Sequence, residues 1–419
     1  MSEMTPKAQA LYNERLQLVN DAIALKPVSR VPIYTLIAAL PFHLYGATWA
    51  DQMYDFDAAG QAYVKFYEEF HPDVFNTPGF SSGKANELSG ANMLDWPGRP
   101  GTKVPVMSSY QTIEQEYLQP EEYPEFLRDY TGFLLRKYIP RAYPNLNGGT
   151  NISLVTSRVV GSEMLAPLGS PAFVEAVNKL SEIHQEVVKA PAAAGKYAQI
   201  IKNMGYPQHR TIGGEAPYDI LGDYYRGTLG IMEDILECPD YVEAACYMLA
   251  DLEIERYTNF FKDKQDWDVR RVFIPMHKGM DGFMSPAQYE RFYWKPFKKV
   301  IDALVKMNVT PYLYTEGPYN TRLETLTDVP AGKVLIHFEN VDMARAAKMF
   351  EGVACICGNM PITLLGYGKP EEVVDNVKWL IDTCAPYNNF MFDANGSLEE
   401  GKRECVEAMF DTLYTYGKR

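Results

Sequence analysis

The sequence predicts an α/β chain folded as a (β/α)8 TIM barrel with a long insertion after the second strand. Three observations carry this expectation. Short apolar, β-rich runs alternate with turns and helix-like segments, which implies parallel strands joined by crossover helices. About eight such runs are present, the number a closed barrel needs. The rival architecture, a doubly wound open sheet, calls for Gly-x-Gly-x-x-Gly or a phosphate loop after a strand, and neither occurs.

The first three strands are weakly marked: Val31 to Ile37, His71 to Asn76 and Arg210 to Glu215. Arg271 to His277 (RVFIPMH) is the clearest. Val309 to Thr315 (VTPYLYT) follows, weakened at Pro311 because proline donates nothing to a ladder. Lys333 to Phe338 (KVLIHF), Val353 to Cys357 (VACIC) and Phe390 to Asp393 (FMFD) complete the set. Helical patterns separate them at Ser285 to Met307, Thr321 to Thr327, Met343 to Phe350 and Pro370 to Thr383. The last opens on Pro-Glu-Glu, where proline suits the first turn and the acids suit the helix dipole. Residues 79–208 break the alternation and are rich in Gly, Pro, Tyr and Asn. They are expected to form a partly helical insertion over the barrel mouth, within one domain spanning 1–419.

The chain has 419 residues, with 54 acidic and 40 basic side chains and a formal charge of −14. Its 47% apolar and 22% charged residues are globular proportions. A nucleic-acid partner is excluded, because such binders cluster Lys and Arg. The short run Lys295-Pro296-Phe297-Lys298-Lys299 reads as a solvated helix face. Six scattered cysteines make no disulfide scaffold. The N-terminal residues lack the apolar core of a signal peptide. Val31 to Ala50 is uncharged, but Pro32, Pro41, His43 and Gly46 interrupt it, so it reads as a strand and loop rather than a membrane span. A cytoplasmic location with no membrane partner is the expectation.

Active sites of such barrels lie at the C-terminal ends of the strands. A period of two puts Phe273, Pro275 and His277 on one face, then Tyr312, Tyr314 and Glu316, then Leu335, His337 and Glu339. Cys355, Cys357 and Asn359, and Met391, Asp393 and Asn395, continue the series. Five strands that start apolar and end polar at the same end imply a lined pocket. His277 precedes Lys278-Gly279 and reads either as a site residue or as a helix-capping or core-edge histidine. Glu316-Gly317 ends its strand on an acid, suited to proton transfer, metal binding or helix capping. Glu316, His337 and Glu339 together make an O/N/O set suited to Zn²⁺. Cys355 and Cys357 read as core. The loop Asp219-Ile-Leu-Gly-Asp-Tyr224-Tyr-Arg226 either presents acids and tyrosines to a ligand or pairs its own charges. The 29 tyrosines and 20 phenylalanines would suit a flat apolar substrate.

The C-terminal half resembles the uroporphyrinogen decarboxylase superfamily. The resemblance is carried by Arg226-Gly-Thr-Leu-Gly, His277-Lys-Gly-Met-Asp-Gly-Phe-Met-Ser285, Tyr314-Thr-Glu-Gly317, Phe338-Glu-Asn-Val-Asp342, Cys357-Gly-Asn-Met-Pro361 and Gly368-Lys-Pro-Glu-Glu. It covers residues 205–419 well and the rest loosely. The decarboxylase's own Arg-Gln-Ala-Gly-Arg run is replaced here by Ile37-Ala-Ala-Leu-Pro-Phe-His43, which removes the cations a porphyrinogen needs. The thiol-methylating members' His-x-Cys zinc motif falls on Tyr314-Thr-Glu316, without thiolate. The substrate-demethylating components of O-demethylases look closer. Their Glu-x14-Glu-x20-His zinc pattern matches at Glu316 and His337, but the first glutamate falls at Ile301, leaving Glu339 or Asp393 to supply a ligand.

The resemblance therefore implies a methyltransferase. It would move a methyl group from a small methoxylated, aromatic donor to the Co(I) corrinoid of a partner protein, assisted by Zn²⁺. The chain holds no Asp-x-His-x-x-Gly cobalamin motif. Glu316, His277, Tyr314 and Asp219 are the catalytic candidates, and Arg226, Tyr224, Lys278 and Asn359 the substrate contacts. The zinc ligands would be Glu316, His337 and Glu339. A homodimer is a family expectation. Two alternatives stay open. One is a metal-free lyase acting on an aromatic or pyrrolic carboxylate held by His277, Lys278 and Arg226. The other is a non-catalytic binding protein on the same barrel.

Overall fold

A computed structural model describes residues 4–149 and 162–418 of the chain. Six parallel strands run in sequence order around a sheet: Ile212–Gly213, Arg271–Met276, Thr310–Pro318, Leu335–Asn340, Cys355–Cys357 and Phe390–Met391. Two further segments close the ring. Tyr34 N donates to Phe392 O at 3.0 Å, and Asp73 N donates to Ile33 O at 2.9 Å. Phe75 then bridges Gln208 in parallel, just before Ile212–Gly213. The fold is thus an α/β TIM barrel whose first two staves are held by isolated bridges rather than ladders. Prolines explain this, since Pro32, Pro72 and Pro207 carry no N–H to donate at those positions.

Each long strand is apolar on both faces because both are covered. Val272, Ile274 and Met276 face the outer helices, as do Leu313, Ile336 and Ile356. The alternate positions fill the barrel interior: Tyr312 and Tyr314, Leu335, Cys355 and Cys357, and Met391, with Tyr34 and Val74. The expectation that Cys355 and Cys357 are core holds, and burial pushes both thiols up. The helix Pro6–Ile23, capped by Thr5, adds Val19, Ala22 and Ile23 to the same inner cluster.

Helices follow the strands as the patterns predict. Ser285 caps a helical stretch that runs from Pro286 to Lys306, and Pro370–Cys384 opens on its proline. Between the second and third staves lies the expected insertion. It carries the two-residue strands Leu94–Asp95 and Gln111–Thr112, paired antiparallel, and the helices Pro171–Val187 and Lys189–Asn203. Residues 150–161 of that insertion lie outside the described residues. Among the described residues no helix is long and apolar enough to cross a membrane.

Candidate active site

A cavity of about 1030 Å³ opens at the C-terminal ends of the strands. Phe273, Pro275 and His277 line it from one strand, and Tyr314 and Glu316 from the next, as the period of two requires. The insertion supplies Met93, Tyr110, Ile113, Tyr117 and Tyr138 to the opposite wall.

Strand register explains which polar groups meet. Met276 pairs with Thr315, so the next residues, His277 and Glu316, stand side by side. Glu316 Oε1 lies 3.5 Å from His277 Nε2. The other ring nitrogen, Nδ1, is 2.6 Å from Asp223 Oδ2. Lys278 Nζ bonds the second oxygen of Asp223 and lies 3.7 Å from Glu114 Oε1. Beneath them sits Asp219, fully buried. It accepts the backbone N–H of His277 at 2.9 Å and of Lys278 at 2.8 Å, and the Tyr293 hydroxyl at 2.6 Å. Asp219 and Asp223 are four residues apart on one helical turn, which stacks the two carboxylates beneath the His277–Lys278 turn.

The electrostatics follow from this packing. Burial opposes charge on His277, but its bonds to Asp223 and Glu316 and the nearby Asp219 carboxylate outweigh it, pushing the imidazole up to about 11. Burial likewise opposes ionisation of Asp223, yet His277 and Lys278 hold its carboxyl below the usual range. Burial pushes Asp219 up. Burial and the neighbouring acids also push Glu215 up to about 7, against the Tyr224 hydrogen bond. Glu215 follows Gly213-Gly214 and reaches into the same corner, where the Tyr224 hydroxyl donates to its Oε1.

Of the expected residues, Glu316, His277, Tyr314 and Tyr224 line the cavity, and Lys278 backs it. Asp219 is a support under the His277 turn, away from the lining. Arg226 does not face the cavity either. It is buried between Asp234, at 2.5 Å from Nε, Glu116 and the Leu118 carbonyl. Its own helix and the insertion use up its charge. Asn359 and Glu339 sit in a separate pocket of about 480 Å³ with Asn340 and Trp379. There Asn359 Nδ2 donates to Val341 O at 3.1 Å, and Glu339 accepts the Gly317 N–H.

The expected metal set Glu316, His337 and Glu339 does not assemble. His337 pairs laterally with Tyr314, so Glu316 stands two residues further up the barrel. The ring of Tyr314 lies on the His337 ring, which has no exposed surface. His337 Nε2 is 2.8 Å from the Ala394 carbonyl, so that nitrogen carries the hydrogen. Burial holds this histidine down at about 4 despite that bond. Asp393, also buried, is pushed well up by burial. Glu316 and His337 thus lie at different heights of the barrel, and Glu339 faces a separate pocket.

Five charged lining groups were not singled out as site residues from the sequence: Glu215, Asp223, Glu114, Arg210 and Glu399. The signal for the first two was present, as an acid ending the third strand run and as the Asp219/Asp223 spacing. Glu114 lies in the insertion, which has no periodicity to read.

A family model described as uroporphyrinogen decarboxylase (URO-D) matches residues 154–412. No curated protein matches the chain. Among solved structures, a methyltransferase from Methanosarcina mazei shares the fold, with a TM-score of 0.60. The match covers 96% of this chain and 98% of that one at 14% identity.

Proposed function

The chain belongs to the uroporphyrinogen decarboxylase family, and from that membership we propose that it is a methyltransferase. It moves a methyl group from a methoxylated aromatic donor to the Co(I) corrinoid of a separate partner protein. The observation that carries this reading is the composition of the cavity wall. Trp49, Tyr110, Tyr224 and Phe273 offer flat apolar surfaces. The charged lining is Glu114, Glu215, Asp223, Glu316 and Glu399 against Arg210 and His277. The Arg210 guanidinium lies 4.2 Å from the centre of the Phe273 ring. An acid-rich wall of this kind repels a polycarboxylate, which weighs against the decarboxylase-like lyase, and it accepts an uncharged ring.

The ring of the donor stacks on the aromatic wall with its ether oxygen toward His277. The methyl carbon faces the mouth, where the partner's corrinoid supplies the attacking electron pair. The C–O bond breaks as the new bond to the methyl carbon forms, and its electron pair stays on the departing oxygen. Positive charge held at the His277 corner meets that oxygen. Asp223 and Asp219 hold the imidazole in place, and Lys278 offsets their charge. The zinc expected from the resemblance would supply Lewis acidity to the same oxygen. Glu316, His337 and Glu339 do not fit it, so no step runs through that set.

The test mixes the chain with a Co(I) corrinoid protein and a panel of methoxybenzenes, and follows methyl-corrinoid by its absorbance. Transfer from uncharged donors, and less from carboxylated ones, is expected. Absence of transfer across the panel would falsify the reading.

A further inference from the structure

The corner behind His277 contains an incomplete set of contacts. Glu215, Asp223 and His277 each bring one potential ligand atom within 4.8 Å of the other two. Glu215 Oε1 is bonded by Tyr224, but its Oε2 is buried with no hydrogen-bond partner among the described residues. A buried carboxylate oxygen left without a donor is a costly arrangement, and in a native fold it asks for a missing occupant. The surroundings say which sign that occupant carries. Asp219, Glu316 and Glu114 add further carboxylates to the neighbourhood, while Lys278 supplies the one ammonium, already on Asp223.

We propose that Glu215, Asp223 and His277 form a binding site for a divalent transition-metal cation of the Zn²⁺ type. Two carboxylates and one imidazole are a borderline-hard O/O/N set without thiolate, which suits Zn²⁺ and its neighbours rather than a soft ion. Three protein ligands are also what open, catalytic sites supply, leaving a position for a further oxygen. All three residues line the main cavity, and Tyr224 orients Glu215 from behind, as outer partners of metal ligands do. Glu215 and His277 follow the third and fourth strands and Asp223 lies on the helical turn between them, two strands before the pair Glu316 and His337.

The binding stands independently, while its use in polarising the departing ether oxygen rests on the methyl-transfer reading. The experiment uses the full chain. Metal content is measured on protein purified without chelator, and again after chelation and titration with Zn²⁺. Co²⁺ then replaces Zn²⁺ as a visible-absorbance probe. About one Zn²⁺ per chain, with Co²⁺ bands that change when a methoxybenzene is added, is expected. Glu215→Gln and His277→Gln should each weaken Zn²⁺ binding by 10-fold or more. His337→Gln and Glu339→Gln should leave it unchanged. Circular dichroism and the conservative Glu215→Asp variant separate loss of ligand from loss of fold. No stoichiometric metal and no Co²⁺ bands, or equal binding by Glu215→Gln, overturns the site. Metal bound without methyl transfer to any corrinoid acceptor keeps the site and removes the methyl-transfer reading. Methyl transfer at full rate by metal-free protein keeps the methyl-transfer reading and overturns the metal's use in polarising the ether oxygen.

Discussion

The ring of Tyr314 lies flat on that of His337, with centroids 4.2 Å apart and planes 14° from parallel. Tyr314 faces the cavity and His337 does not, so this stack is the cavity floor. Everything above it can touch a ligand, and everything below it belongs to the barrel core.

His337 therefore governs acid stability. Burial keeps it neutral, with its proton affinity lowered to about 4 from an ordinary value near 6.5. Between those two values the unfolded chain takes up a proton that the folded chain refuses, so stability falls as pH drops from about 6.5 to about 4 and levels off below. The full effect is about 3 kcal/mol. Melting temperatures of wild type and His337→Gln across that window should converge toward acid pH, with the variant's curve flatter. Parallel curves would show that His337 does not titrate this way.

His277 and its support should act on the rate. His277→Gln is expected to lower methyl transfer by about 10²- to 10⁴-fold, with a smaller change in KM. Asp223→Asn, which frees the imidazole to turn and removes the partner of Lys278, should cost about 10- to 100-fold. Single-turnover kinetics separates the two from effects on partner docking.

Arg226 should act on folding and leave donor affinity unchanged. Removing it leaves the buried Asp234 carboxylate without a cation, held only by the Tyr123 hydroxyl, at a cost of about 3–5 kcal/mol. Urea denaturation of Arg226→Ala measures this. A variant of normal stability with weakened donor binding would return Arg226 to the substrate-contact role.

Gly214 tests how closely Glu215 is held. A Cβ placed there would come 1.6 Å from the Tyr257 hydroxyl oxygen. Gly214→Ala should destabilise the fold by about 1–3 kcal/mol through overpacking. Adding Tyr257→Phe should recover part of the loss, again read by denaturant midpoint.

The barrel was legible because its strands alternate between two buried faces, and because Arg271–Met276 and Thr310–Pro318 are long enough to show the period. The first two staves were placed by position alone, since their prolines leave single bridges with no ladder. In the site, Phe273, Pro275, His277, Tyr314 and Glu316 followed from periodicity. His337 could not be separated from Glu316 in the same way. A face is set by counting twos along one strand, while height is set by register between strands, which depends on the turns and helices between them. Glu215 and Asp223 come from a strand end and a helix turn that meet only after the chain has folded, and the insertion's wall residues carry no period at all.

The two cysteines inside the barrel make the protein its own stopwatch. Cys355 and Cys357 have no solvent contact and resist forming thiolate, so an alkylating reagent must wait for the staves to part. Mass labelling of those two sulfurs over time then counts barrel openings. The more exposed Cys238, between the helices Gly227–Glu237 and Pro239–Phe261, marks time zero.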